Sequence, residues 1–175
     1  MQLNYFGCLK LILGFLPSMQ KQGFGHIINI SSIGTLTNAP RFSAYVASKS
    51  ALEAFTRCAA AEYSDTGVRF TTINMPLVKT PMIAPTKIYD YFPTLNPEQA
   101  VDLITKAIIE KPKRVATRLG MFINIVYAIA PKVTEILFNF TFRIFKDSNA
   151  AKGEGGEKMT SEQIALSQVM RGIHL

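Results

Sequence analysis

Apolar side chains at Leu9, Ile12, Leu13, Leu16 and Met19 recur every three or four positions, which predicts a one-faced helix over residues 3–22 ending before Gly23. His26–Ser31 is a short apolar run between Gly25 and a Ser-Ser-Ile-Gly turn, and it reads as a strand with His26 as a surface histidine at its entrance. Residues 33–44 carry Gly34, Asn38 and Pro40 and read as loop. An alanine- and leucine-rich helix is expected from Tyr45 to about Tyr63, followed by a turn at Asp65-Thr-Gly67 and a β-branched strand over Val68–Asn74. Strand, helix, strand with a crossover of this length implies parallel neighbours in a doubly wound α/β sheet. Asn96-Pro97-Glu98-Gln99 has a cap, a proline at the first helical position and a glutamine three residues after the cap, predicting a helix to about Glu110. Lys113–Thr117 fits a last short strand.

Two segments depart from this alternation. Residues 83–95 mix aromatics, prolines and one lysine, as loops that cover a substrate do. Residues 119–146 hold two apolar, aromatic stretches separated by Pro131, with Arg118, Lys132, Arg143 and Lys146 at their ends. Two short helices are expected there, lining an apolar pocket, resting on a membrane surface, or packing against a partner subunit. From Asp147 onward the chain is small, charged and glycine-containing, and residues 147–175 read as a flexible tail behind a domain over 1–146.

At 175 residues, 48% hydrophobic and 18% charged, the chain suits one folded domain and argues against disorder. Its formal charge of +7 favours anionic ligands. The basic residues are scattered and not interleaved with aromatics, which argues against a nucleic-acid partner. Cys8 and Cys58 form no CxxC or metal spacing, and they read as buried thiols in a reducing cytoplasm, with no metal site. The first residues have an apolar stretch without a basic leader or a cleavage site, and Lys10 interrupts it, so no signal peptide is expected. No run reaches the roughly 18 uncharged apolar residues that cross a bilayer.

Candidate chemistry is concentrated between Ser32 and Lys49. Ser32 ends a strand, so its hydroxyl is presented at a carboxyl edge, where open α/β sheets bind ligands. Tyr45 and Lys49 are four apart at the start of a helix and share one face. An ammonium beside a phenol stabilises the phenolate, which fits Tyr45 to give and take a proton near neutral pH. A Tyr-x-x-x-Lys pair alone is a weak signal; with the serine, the strand before and the helix after it, the set resembles the catalytic core of the short-chain dehydrogenase/reductase family.

That resemblance implies further roles. Asn4, in the first turns of the opening helix, would complete a tetrad by holding a water that relays protons toward Lys49; a helix-cap asparagine is the other reading. Pro76, Val78 and Thr80 in MPLVKT match the segment that holds the nicotinamide carboxamide, with Tyr45 and Lys49 also at the cofactor. Leu77 replaces the family's usual glycine, so a loop of different shape is expected. The Gly-rich pyrophosphate turn is missing, since Gly153-Glu-Gly155-Gly156 follows no strand. The chain therefore resembles the carboxyl-terminal part of a Rossmann-like fold without its first strands, truncated or separated from its other half, with extra helices at the end.

MQLNYFGCLKLILGF, HIINISSIGTLTNAPRFSAYVASKSAL and KPKRVATRLG are similar, beyond the general motif, to bacterial fatty acyl-CoA reductases of this family. The implied activity is NADPH-dependent reduction of a long-chain acyl-CoA to the aldehyde, NADH being open as the cofactor. A reductase of ketones, alcohols or 3-oxoacyl groups is the alternative, and a dimerisation or membrane-docking module a second. The family also implies a cytoplasmic homo-oligomer paired through the helices at 5–22 and 45–63, where Ala51, Ala54, Ala59, Ala60 and Ala61 permit close packing. Peripheral membrane contact would fall on 119–146.

Overall fold

A computed structural model describes residues 1–81, 83 and 92–144. The covering loop expected at 83–95 lies mostly outside the described residues, as does the tail from Asp147. Gln2–Gly7 forms a π-helical opening, with Tyr5 N and Phe6 N donating to Met1 O at 3.0 and 3.3 Å, and runs into helix α1, Cys8–Gln22. Strand β1 (Gly25–Ser32), helix α2 (Gly34–Thr37), helix α3 (Ser43–Glu62) and strand β2 (Val68–Met75) follow. Helix α4 (Pro97–Glu110), strand β3 (Arg114–Val115), α5 (Arg118–Ile129) and α6 (Pro131–Ile144) complete the described chain.

The sheet is parallel in the order β1-β2-β3, with Ser32 opposite Met75 and Ile73 opposite Val115. Period-2 alternation sends Ile27, Val68 and Phe70 to one face, where Ile12 and Leu16 of α1 and Leu52 and Ala59 of α3 cover them. Ile28, Ile73 and Val115 take the other face, under Ala107 and Ile104 of α4. Helices on both faces of a parallel sheet are the doubly wound arrangement expected from the sequence. The α4 start is a full capping box, with Gln99 N donating to Asn96 Oδ1 at 2.8 Å and Asn96 N to Gln99 Oε1 at 2.9 Å.

Four expectations need correction. The segment 33–44 is not all loop: Gly34–Thr37 winds one helical turn, closed by a left-handed Asn38. Cys58 is exposed and Cys8 half-buried, so neither is an interior thiol. Of the alanines assigned to a subunit interface, Ala59 is buried within the chain's own core. His26 is not a free surface histidine. Its Nε2 lies 2.9 Å from Thr71 Oγ1, and because that hydroxyl donates to Pro112 O, the imidazole Nε2 must be the donor.

Burial, and then the nearby Lys111, hold the His26 pKa below its ordinary 6.5. The unfolded chain therefore takes up a proton before the folded one, and this residue's share of stability falls as pH drops through 6.5 and levels off below the folded pKa. His26→Gln, which keeps an N–H for Thr71, should lose less stability than the parent between pH 7.5 and 5.5 in urea unfolding. Equal losses would contradict the assignment.

Gly67 closes the α3–β2 turn at φ +79°, where a Cβ would lie 2.0 Å from Gly23 O. Gly67→Ala must move backbone, and a loss of more than about 1 kcal/mol in unfolding free energy is expected.

Candidate active site

The sheet brings Ser32 and the β2 exit together. Ser32 is the last residue of β1, opposite Met75, and Ile33 N donates to Met75 O at 2.9 Å, so the serine turn and the Pro76 segment leave the carboxyl edge side by side. Gly34 N donates to Ser32 Oγ at 3.1 Å, fixing the hydroxyl as an acceptor on that side and leaving its proton for another partner. A methyl on Gly34 would meet Ser32 Oγ at 3.4 Å and Val46 Cγ2 at 3.6 Å, so the Gly34 turn packs beside both the serine hydroxyl and Val46 in the first turn of α3.

Tyr45 is 41% exposed, leaving its phenol accessible from solvent. Lys49 Nζ, one turn on, donates to Ile30 O at 2.8 Å, two residues before Ser32. The ammonium is thus anchored to the strand that ends in the serine. Asn4 comes to the same place from the opening π-helical turn: its Nδ2 donates to Ser48 Oγ at 3.1 Å, and Ser48 donates to Tyr45 O at 2.7 Å. It does not act as a helix cap, because the helix opening has no side-chain cap. A wide π turn re-aims side chains relative to a regular helix, and such turns are frequent at functional sites.

Pro76 is buried and Val78 half-buried, while Thr80 is exposed. Val78 pairs with Leu95, Lys79 N donates to Leu95 O, and Leu95 N donates to Leu77 O, both at 2.8 Å. The strap after β2 therefore runs as a short paired segment. Leu77 is not among the residues with positive φ, so it needs none of the freedom of a glycine.

A buried carboxylate under the site was not anticipated. Glu53, two turns beyond Tyr45 on α3, is 5% exposed, and its Oε1 accepts from Ser31 Oγ at 2.5 Å, Thr35 Oγ1 at 2.6 Å and Asn74 Nδ2 at 2.7 Å. Its Oε2 faces Arg114 Nη2 at 3.4 Å and Arg57 Nη1 at 3.8 Å. Thr35 Oγ1 also lies 2.7 Å from Ser32 O, and Asn74 Nδ2 3.4 Å from the same carbonyl. One side chain so ties the ends of both central strands, the serine turn and β3 to α3. The sequence did carry a signal: Asn29, Ser31, Thr72 and Asn74 put polar groups at alternate, inward strand positions, which demands a polar partner on the covering helix.

The loop between Ser32 and Tyr45 is also held from the far side. Arg41, at φ +70°, donates to Phe142 O at 3.0 Å and lies 4.3 Å above the Phe142 ring. A hollow between this loop and the α5–α6 pair is lined by Asn38, Pro40, Tyr127, Phe138 and Phe142. No group of three or more His, Cys, Asp or Glu that could hold a metal occurs among the described residues.

A serine, a phenol and an anchored ammonium at the carboxyl edge of a parallel, helix-covered sheet define a site suited to proton transfer at a carbonyl oxygen. Residues 1–88 match the family described as short chain dehydrogenase, and this chain belongs to that family. It is 56% identical to a fatty acyl-CoA reductase of Acinetobacter baylyi over 174 residues, 99% of this chain and 59% of that protein. A fatty acyl-CoA reductase of Mycobacterium tuberculosis is 44% identical over 133 residues, 75% of this chain and 45% of that one. Among solved structures, a short chain dehydrogenase from Burkholderia cenocepacia in complex with NADP superposes with a TM-score of 0.67 at 26% identity, covering 79% of this chain and 56% of that one. The chain thus spans about half the length of these relatives.

Proposed function

We propose that the chain is the carboxyl-terminal, catalytic part of an NADPH-dependent reductase that converts a long-chain fatty acyl-CoA to the aldehyde. The observation that supports this reading is the Lys49 ammonium held on Ile30 O, two residues before Ser32, with Tyr45 one turn earlier on the same helix, in a chain 56% identical to a fatty acyl-CoA reductase. The donor set fits the nicotinamide riboside end of a dinucleotide: an ammonium for ribose hydroxyls at Lys49, and a strap from Pro76 through Val78 to Thr80 for the carboxamide. Among the described residues no glycine-rich turn follows a strand, so that end of the cofactor would fall to residues outside them. The NADP in the Burkholderia structure supports the cofactor class.

The bound dinucleotide supplies the hydride that the thioester carbon accepts. As charge grows on the carbonyl oxygen, Ser32 Oγ–H and Tyr45 Oη–H donate to it, a stabilisation worth about 10²–10³ in rate per donor. Tyr45 then passes its proton to that oxygen, giving a hemithioacetal, while Lys49 stabilises the phenolate left behind. Asn4, through Ser48, holds the backbone of the turn carrying Tyr45 and Lys49. Cleavage of the C–S bond, with a proton moving from the hydroxyl to the sulfur, releases aldehyde and coenzyme A. The apolar hollow beside the Arg41 loop is a place for the acyl chain. Pairing of two copies through α1 and α3 belongs to the same proposal.

A substrate panel tests the substrate class. The complete protein should show its highest kcat/KM on long-chain acyl-CoAs, with 3-oxoacyl, steroid and simple ketones at least about tenfold lower. The reverse order would make it a ketone reductase of the same family.

A further inference from the structure

The last two helices carry apolar stripes on their outer sides. α6 turns Thr134 (3% exposed) and Thr141 inward, and each satisfies its hydroxyl on its own helix, at Pro131 O and Phe138 O, both 2.8 Å. Outward it presents Val133, Ile136, Leu137 and Phe140, spaced i, i+3, i+4, i+7, with Ile136 72% exposed. α5 repeats the pattern. Its buried Gly120 sits against Ile33 and Leu36, while Phe122 (63% exposed), Ile125 and Ile129 (79%) form the outer stripe. A helix facing water carries its apolar stripe toward the core and its polar face outward; here both helices also carry an apolar stripe outward.

Charge decides among the possible occupants. Arg118 precedes Phe122 by one turn, and Lys132 and Arg143 flank Ile136 on α6. The only acid in 118–144 is Glu135, and it lines the hollow facing Asn38 and Tyr127. A second copy meeting this face symmetrically would bring three cations of each copy together, with Glu135 the one acid to offset them. An anionic lipid surface offers apolar depth for the stripes and phosphates for the three cations. At 12 and 14 residues the helices are roughly 18 and 21 Å long, short of the ~30 Å hydrocarbon core. No described helix is long and apolar enough to cross a membrane.

We propose that the α5–α6 pair is a membrane-surface dock, lying in the interface of an anionic phospholipid bilayer with its apolar stripes in the acyl boundary. It stands independently of the acyl-CoA reading, since it rests on the exposure and charge of these helices alone.

Flotation of the complete protein with vesicles tests it. The protein should float with vesicles of phosphatidylcholine containing about a third phosphatidylglycerol, and less so in roughly 0.5 M NaCl, where charges are screened within a few Å. The double substitution Ile136→Glu, Phe140→Glu should lower the floated fraction at least about tenfold, with solution mass and thermal midpoint unchanged. Ile109→Glu on α4, a site 73% exposed, should float like the parent. A parent protein that stays in the dense fraction with these vesicles at low salt overturns the proposal. So does a double variant whose solution mass halves, since the face would then be a protein interface, or a control that fails to float as well.

Discussion

Replacing Tyr45 by phenylalanine should lower kcat of the complete protein by about 10²–10⁴-fold, the range for loss of a positioned proton donor. NADPH affinity should change little, because Lys49, held on Ile30 O, is untouched. Folding should not change either, since Tyr45 is 41% exposed. Catalysis and structure separate at this residue, which makes it a sharper probe than Lys49, whose removal also releases a strand carbonyl. A Tyr45→Phe enzyme within a few-fold of the parent on acyl-CoA would mean that another group delivers the proton.

The second large effect is on stability. Glu53→Leu should cost about 3–5 kcal/mol, read as a shift in the urea midpoint at constant m-value, because it strips the acceptor from two buried donors and the half-buried Thr35 and leaves Arg114 unpaired. Glu53→Gln keeps one acceptor oxygen and loses the charge, so a smaller loss of about 1–3 kcal/mol is expected. If leucine proved as tolerable as glutamine, the cluster would contribute packing only. Both variants loosen Thr35 and Asn74 around the Ser32 carbonyl, linking this buried group to the geometry of the site above it.

How far the sequence reveals this arrangement follows from which features are local. α4 is legible because its cap, proline and glutamine act within one turn, and α5 and α6 because Pro131 divides two apolar runs. The placement of Ser32 at a strand end and of Tyr45 and Lys49 one turn apart on α3 is legible because both are fixed by short-range geometry. The one-turn helix at Gly34–Thr37 is not, since glycine and threonine favour helix poorly and its stability comes from contacts with α5 and from the Ser32 turn. Glu53 is hidden for a similar reason: nothing near it in sequence marks it as buried, and its partners lie 21 and 22 residues away at Asn74 and Ser31, and 61 away at Arg114. The outward apolar stripes of α5 and α6 are the reverse case. Periodicity predicts the helices, but only the fold shows that the apolar side faces away from it.

The most direct measurement counts products. Complete protein, NADPH and a long-chain acyl-CoA are mixed, and NADPH oxidation is followed together with free thiol, captured by a chromogenic thiol reagent. A Ser32–Tyr45–Lys49 site reducing a thioester to the aldehyde releases one thiol for each NADPH consumed, and Tyr45→Phe suppresses both signals together. NADPH oxidation without thiol release would contradict the account by placing the reduction at a carbonyl other than the thioester. Thiol release without NADPH would contradict it as well, by making the protein a hydrolase.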